Sequence, residues 1–214
     1  MTPVELASEG ETLKAELYGA LPTVRAVILC HGASWDASGW SDIAPRFVER
    51  GVPALALNFR GFGGSTGKTG QKPKEQRSTF AVDLWTTVTD VAAAKAWLKR
   101  AGAKEIALVG ASMGGHAVLG SSFEGDVECV VSISAPVEPV DDALSKKVTG
   151  RKLFICATED HLGAAPHVLH TFEVCDAPKM LLMVDGTEHS RPLLDGPYGA
   201  IVIAAILDFV AGRS

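Results

Sequence analysis

The chain of 214 residues contains the spacing Gly-x-Ser-x-Gly twice, at Gly63–Gly67 and at Gly110–Gly114. This spacing can put a serine on a sharp, strained turn with its hydroxyl pushed forward as a nucleophile. A strand must run into the turn and a helix must run out of it. Residues 105–109 (EIALV) supply such a strand before Ser112, and residues 113–123 (MGGHAVLGSSF) supply the helix. Ser65 has neither neighbour and reads as a turn serine. Ser112 is therefore the candidate nucleophile. Gly110, Gly114 and Gly115 leave out Cβ atoms that so tight a turn has no room for.

A serine hydroxyl attacks a carbonyl only when a neutral imidazole takes its proton, and that imidazole needs a carboxylate on its other nitrogen. Two apolar runs end on these residue types: LFICATEDHL carries Glu159 and Asp160 past its end, and MLLMVDGTEHS carries His189. The order serine, acid, histidine suits an elbow on an open α/β sheet, where ligands gather at the C-terminal strand ends. Asp160 lies one step further past its strand and is the preferred acid, with Glu159 as the alternative. The oxyanion formed on attack needs two backbone N–H donors. Met113 follows the nucleophile and offers one. His31-Gly32-Ala33, after the run AVILC, offers the second from Ala33, with Ser34 as a substitute. Ser34 and Trp35 are candidates for substrate contact, and Trp35 with Trp40 could form an acyl-side wall. Packing of Trp35 and Trp40 against the body is the competing reading.

The elements that must hold these residues alternate along the chain. Strands are expected at about residues 14–18, 24–30, 53–59, 105–110, 129–134, 152–157 and 179–184. Helices are expected at about 42–50, 82–101, 113–123, 164–174 and 197–211. The second helix places Leu84, Val88, Val91 and Lys95/Leu98 near helical spacing and ends on Lys99, Arg100 and a Gly102 stop. Such alternation implies βαβ units, with a mostly parallel sheet between two helical layers. Runs such as AVILC and ALVG lack polar alternation, as strands covered on both faces do.

Composition bounds the function. With 47% hydrophobic and 21% charged residues, the chain suits one globular domain over residues 1–214 and neither a disordered nor a fibrous protein. A net charge of −5 disfavours nucleic acid as a partner. The acidic N-terminus lacks the apolar centre of a secretory signal, and the uncharged stretch 199–207 is too short to cross a bilayer. Cys30, Cys129, Cys156 and Cys175 fit no metal or Cys-x-x-Cys spacing and read as buried thiols of a cytoplasmic protein. No metal or cofactor is expected. His116 reads as a helix residue, His161, His167 and His170 share one loop and helix, and none matches a zinc pattern. GFGGSTGKT resembles a phosphate loop, but Phe62 stands where that loop needs its first glycine. Gly70 and Pro73 oppose the helix it requires. Residues 60–77 hold five basic residues and one acid, which suits either attraction of an anionic substrate or a solvated loop.

Together these stretches resemble the α/β-hydrolase superfamily. His31-Gly32, the segment Asn58-Phe59-Arg60-Gly61-Phe62-Gly63-Gly64-Ser65, Gly110-Ala111-Ser112-Met113-Gly114-Gly115, Asp160 and His189 stand in that family's order. The second segment is similar to the family's Asp-x-Arg-Gly-x-Gly-x-Ser turn, with Asn58 in place of the acid. It makes Gly61–Ser65 a scaffold turn. The resemblance implies a three-layer α/β-hydrolase fold acting on a small ester or thioester substrate through a Ser112–His189–Asp160 triad and an acyl-enzyme. Fourteen residues, 138–151, separate Val137 from the next strand, too few for an inserted cap. That places the chain with small capless members, similar to dienelactone hydrolases and small carboxylesterases, with a site open to solvent. Dienelactone hydrolases use cysteine as nucleophile, so Ser112 argues against that activity. A peptidase, an acyltransferase or a non-catalytic binder on the same fold are the alternatives.

Overall fold

The structure is a computed structural model that describes residues 1–69, 84–138 and 140–212. Among these residues eight strands form one sheet: β1 (Thr2–Ser8), β2 (Glu11–Tyr18), β3 (Thr23–Cys30), β4 (Ala54–Leu57), β5 (Ala103–Ala111), β6 (Cys129–Ile133), β7 (Arg151–Ala157) and β8 (Lys179–Val184). Their order across the sheet is β1-β2-β4-β3-β5-β6-β7-β8. β2 runs antiparallel to both β1 and β4, and every other pairing is parallel.

The parallel strands at the centre carry apolar residues on both faces along most of their length, because both of their faces are covered. Along β3, Ile28 and Cys30 belong to one core cluster, while Val27 and Leu29 belong to the other. On the first face lie α2 (Leu84–Arg100), α3 (Met113–Ser121) and α5 (Ala164–Val174), which contribute Val91, Leu98, Val118 and Val168. On the second lie α1 (Ala44–Val48), α6 (Arg191–Asp195) and α7 (Gly199–Ala211), with Phe47, Leu193, Val202 and Ile206. This is the three-layer arrangement expected of an α/β hydrolase, with helices on both faces of the sheet.

β1 goes beyond the sequence expectation. It is an edge strand of alternating exposure carrying Pro3 and Glu5, and its pattern lacks the apolar run that marks the inner strands. Glu9 and Gly10, both with positive φ, form the two-residue loop that turns it into β2, since Ser8 pairs with Glu11. The single-turn helices α4 (Asp142–Ser145) and α6 are too short to show a helical period, and neither was expected. Between β6 and β7 the described residues hold α4 and no further helix, so nothing of the size of a cap stands there. The expected helix over 82–101 begins at Leu84, and its first two positions lie outside the described residues.

Arg60 corrects one expectation. The sequence groups it with a basic stretch that suits either an anionic substrate or a solvated loop, yet it is buried, and its guanidinium holds Asp90 through Nε and Nη2. Nη2 also reaches Thr89, Ser8 and Glu9. The charge is used to join the turn after β4 to α2 and the β1–β2 hairpin. Of the remaining basic positions in that stretch Lys68 is exposed, and 72, 74 and 77 lie outside the described residues.

Candidate active site

β5 ends at Ala111, and α3 starts at Met113, which leaves Ser112 alone on the corner with φ +52° and ψ −117°. A non-glycine residue holds that backbone only when its surroundings fix it. Here the Ser112 N–H donates to Ile133 O at 2.9 Å, and Ser112 O accepts from His116 N–H at 3.1 Å. The flanking glycines are required by contact. A Cβ on Gly110 would lie 2.1 Å from Gly114 O, one on Gly114 2.3 Å from Cys30 O, and one on Gly115 2.5 Å from the Ala135 Cβ.

Asp160 follows β7 and His189 follows β8, so both reach the same sheet edge as Ser112. His189 Nδ1 lies 3.0 and 2.8 Å from the two Asp160 carboxylate oxygens, and its Nε2 lies 2.8 Å from Ser112 Oγ. A carboxylate only accepts, so Nδ1 carries the proton and Nε2 of the neutral ring faces the serine hydroxyl as an acceptor. Burial pushes the Asp160 carboxyl up, but the hydrogen bond and charge of His189 outweigh it and hold the group below the usual carboxylate range. Leu162 N–H donates to the same carboxylate at 3.0 Å, and the buried Cys156 thiol lies 3.8 Å from it. Glu159, the alternative acid, is exposed, and its backbone N–H bonds to Gly186 O. The structure therefore brings Asp160, and not Glu159, to His189.

Two further serines with positive φ brace the histidine. Ser134, just past β6, accepts from the Ser190 N–H at 3.0 Å, and Ser190 is the residue after His189. No sequence pattern marks this clasp, which joins residues 56 apart. His31 braces the opposite wall. Its Nδ1–H donates to Gly32 O at 2.7 Å and its Nε2 accepts from Phe59 N–H at 3.2 Å, so the ring is neutral. Burial pushes its pKa down to about 4. Gly32 is obligatory, since a Cβ there would lie 2.6 Å from Trp35 Nε1.

Ser112 and His189 open into a cavity of about 410 Å³ lined by Ala33, Ser34, Trp35, Met113, His161 and Leu162, among others. Neither the Ala33 nor the Met113 N–H donates to another described residue, which leaves both for a ligand. Trp35 lines the cavity, while Trp40 is fully buried behind it at 5.4 Å between ring centroids. The wall and packing readings thus divide between the two indoles. No Asp, Glu, Lys or Arg lines this cavity among the described residues. His161, Leu162, Ser190 and Pro192 are wall residues that the sequence did not single out; adjacency of His161 to Asp160 and of Ser190 to His189 was the available signal. A larger hollow of about 830 Å³ lies at the opposite ends of the strands, between β8 and α7, far from these groups. Among the described residues no group of three or more His, Cys, Asp or Glu is placed to hold a metal ion.

No curated protein sequence matches the chain. Solved structures do. A hydrolase from Penicillium sp. sh18 superposes with a TM-score of 0.81 at 18% identity, covering 99% of this chain and 98% of its own. A hydrolase from Thermoplasma acidophilum gives 0.79 at 18% identity, over 99% and 98%. An esterase from Pyrococcus furiosus gives 0.76 at 19% identity, over 99% and 92%. At such identities the likeness is one of fold. The sequence model of the alpha/beta hydrolase family matches residues 27–207, a span running from within β3 to within α7. Every element that carries Ser112, Asp160 and His189 falls inside it, and the chain belongs to the alpha/beta hydrolase family.

Proposed function

We propose that the protein is a serine hydrolase that cleaves carboxylic ester or thioester bonds of small molecules. The observation that carries this reading is the 2.8 Å contact between His189 Nε2 and Ser112 Oγ, on a ring whose other nitrogen is held by Asp160. In the reaction His189 takes the Ser112 proton as Oγ bonds to the substrate carbonyl carbon. The Ala33 and Met113 N–H groups receive the developing oxyanion, each contributing about 3–4 kcal/mol to the barrier reduction. His189 passes the proton to the leaving oxygen or sulfur, whose bond to carbon breaks, and the acyl group stays on Ser112. Water, deprotonated by His189, then releases the acid and restores the serine.

The uncharged wall of the cavity favours a neutral acyl group, and the absence of a cap-sized insertion between β6 and β7 in the described residues favours open access. Four buried, unpaired cysteines favour a reducing compartment, and we place the protein in the cytoplasm as one domain. No helix among the described residues is long and apolar enough to cross a membrane. A panel of p-nitrophenyl esters and acyl thioesters tests the reading. Turnover of at least one class by the wild type, lost in Ser112→Ala, is the expected result. Equal turnover by the alanine variant would overturn it.

A further inference from the structure

His161 follows Asp160 directly and lines the same cavity. Its backbone N–H and its ring Nδ1 both reach the Thr187 carbonyl, at 3.0 and 2.8 Å. A carbonyl oxygen only accepts, so Nδ1 carries a proton, and whenever the ring holds just that one Nε2 is a bare acceptor. No described residue donates to that nitrogen. The ring stands edge-on to His189, with centroids 5.9 Å apart and planes at 79°. The ring, exposed at the cavity wall, is thus fixed by two bonds to one oxygen, against the very imidazole that hands its proton to the leaving group. Of the other side chains on the wall, those of Trp35, Met113, Leu162 and Pro192 hold no strong acceptor for such a group, and the remaining hydroxyls beside that of Ser112 are those of Ser34 and Ser190, the latter buried.

We propose that His161 Nε2 is a specificity-determining contact for the alcohol half of the substrate, and that the preferred substrates are monoesters of vicinal diols. In these the alcohol keeps a free hydroxyl on the carbon next to the one bearing the ester oxygen. The inference rests on the hydrolase reading above. The leaving oxygen must sit at His189 Nε2 to receive its proton, so the neighbouring carbon and its hydroxyl extend along the edge of His189. There the hydroxyl donates to His161. A plain alkyl alcohol puts a methyl group in that place and strips water from Nε2 without replacing its hydrogen bond, which disfavours it. His161 exchanges no proton. The bond from carbonyl carbon to leaving oxygen breaks as the bond to Ser112 Oγ forms, and the Ser112 proton leaves with the diol by way of His189.

The test compares 2-hydroxyethyl butanoate with n-propyl butanoate, which differ by a hydroxyl in place of a methyl, each corrected for its hydroxide-catalysed rate. His161→Asn keeps a donor where Nδ1 stood, and so the tie to Thr187, but has no group at Nε2. His161→Gln places an amide near Nε2. The wild type should prefer the hydroxyethyl ester by about tenfold in kcat/KM, the size of one well-made hydrogen bond. His161→Asn should bring that ratio close to one, and His161→Gln should keep most of it. Cleavage of both esters by the wild type without preference overturns the inference alone, as does a preference that survives in His161→Asn. If His161→Asn loses both activities equally, the residue only braces the loop and the inference also fails. If the wild type cleaves neither ester and Ser112 resists a fluorophosphonate, the hydrolase reading itself falls, and this one with it.

Discussion

The two Gly-x-Ser-x-Gly segments share a spacing and almost nothing else. After β4, Ser65 is buried; its hydroxyl donates to Asn58 O and accepts from Lys14 N–H, both at 2.9 Å, so both functions of the oxygen are used. After β5, Ser112 is half-buried, and among the described residues its hydroxyl meets only His189. The glycines differ in the same way. Gly63, Gly64 and Gly67 adopt positive φ, so they serve the hand of the backbone first, and Gly63 and Gly67 meet only side chains, of Asn58 and Glu11. Gly110, Gly114 and Gly115 do not adopt positive φ, and they serve close approach between β5, α3 and their neighbours. Chemistry therefore follows from the elements entering and leaving the motif. A serine in a loop satisfies itself locally, whereas one forced onto a corner between strand and helix is left facing a distant partner.

The largest expected effect separates the two serines. Ser112→Ala should lower kcat for ester hydrolysis by about 10⁴-fold or more. Ser65→Ala should leave turnover within a few-fold while lowering stability by about 1–3 kcal/mol in urea unfolding, because its carbonyl and N–H partners lose their bonds. Comparable losses in both would erase the distinction. The two acids give the next test. Asp160→Asn should reduce kcat by about 10⁴-fold through the wrong His189 tautomer, whereas Glu159→Gln should not change it measurably in a steady-state assay. The glycines come third. Gly110→Ala should destabilise by about 3 kcal/mol or more, since its Cβ meets backbone. Gly64→Ala should cost only about 1–2 kcal/mol, because its Cβ makes only an ordinary contact with Lys14 Cγ at 3.9 Å and only the positive φ is strained. Denaturant midpoints decide between them.

The smallest effect concerns the histidines that hold the frame. His31 and His116 are buried, and burial pushes each pKa down to about 4. The unfolded chain binds their protons from about pH 6.5 downward, while the native state stays neutral. Stability is therefore complete above that range and falls as pH drops toward 4. The loss between pH 7 and 5 should be about 2 kcal/mol for each histidine. Thermal melts at the two pH values should show it, and His116→Asn, which retains a donor for Pro136 O, should shrink the difference. An unchanged pH dependence in that variant would mean that His116 titrates normally.

The legible parts of the molecule were those decided by local sequence. β3, β5, β6, β7 and β8 each carry an apolar run because the sheet is covered on both faces, and their observed bounds fall within two residues of expectation. β1 was not legible, since an exposed edge strand needs no apolar run and its Pro3 argues against one. At the site, Ser112, Asp160 and His189 could be picked out because each follows a readable strand end. Arg60 was misread because its partner Asp90 lies 30 residues away, and no local pattern shows that a charge is already paired. The Ser134–Ser190 clasp and the His161 wall escaped for the same reason: loops that meet at a sheet edge leave no period in the sequence.

The central claim is that Ser112, and not Ser65, is a nucleophile activated by His189. Reaction with a fluorophosphonate followed by peptide mapping tests it most directly. A single adduct on the peptide carrying Ser112, absent in His189→Ala, is the predicted result. An adduct on Ser65, or an unmodified Ser112 under conditions that inactivate other serine hydrolases, would contradict it.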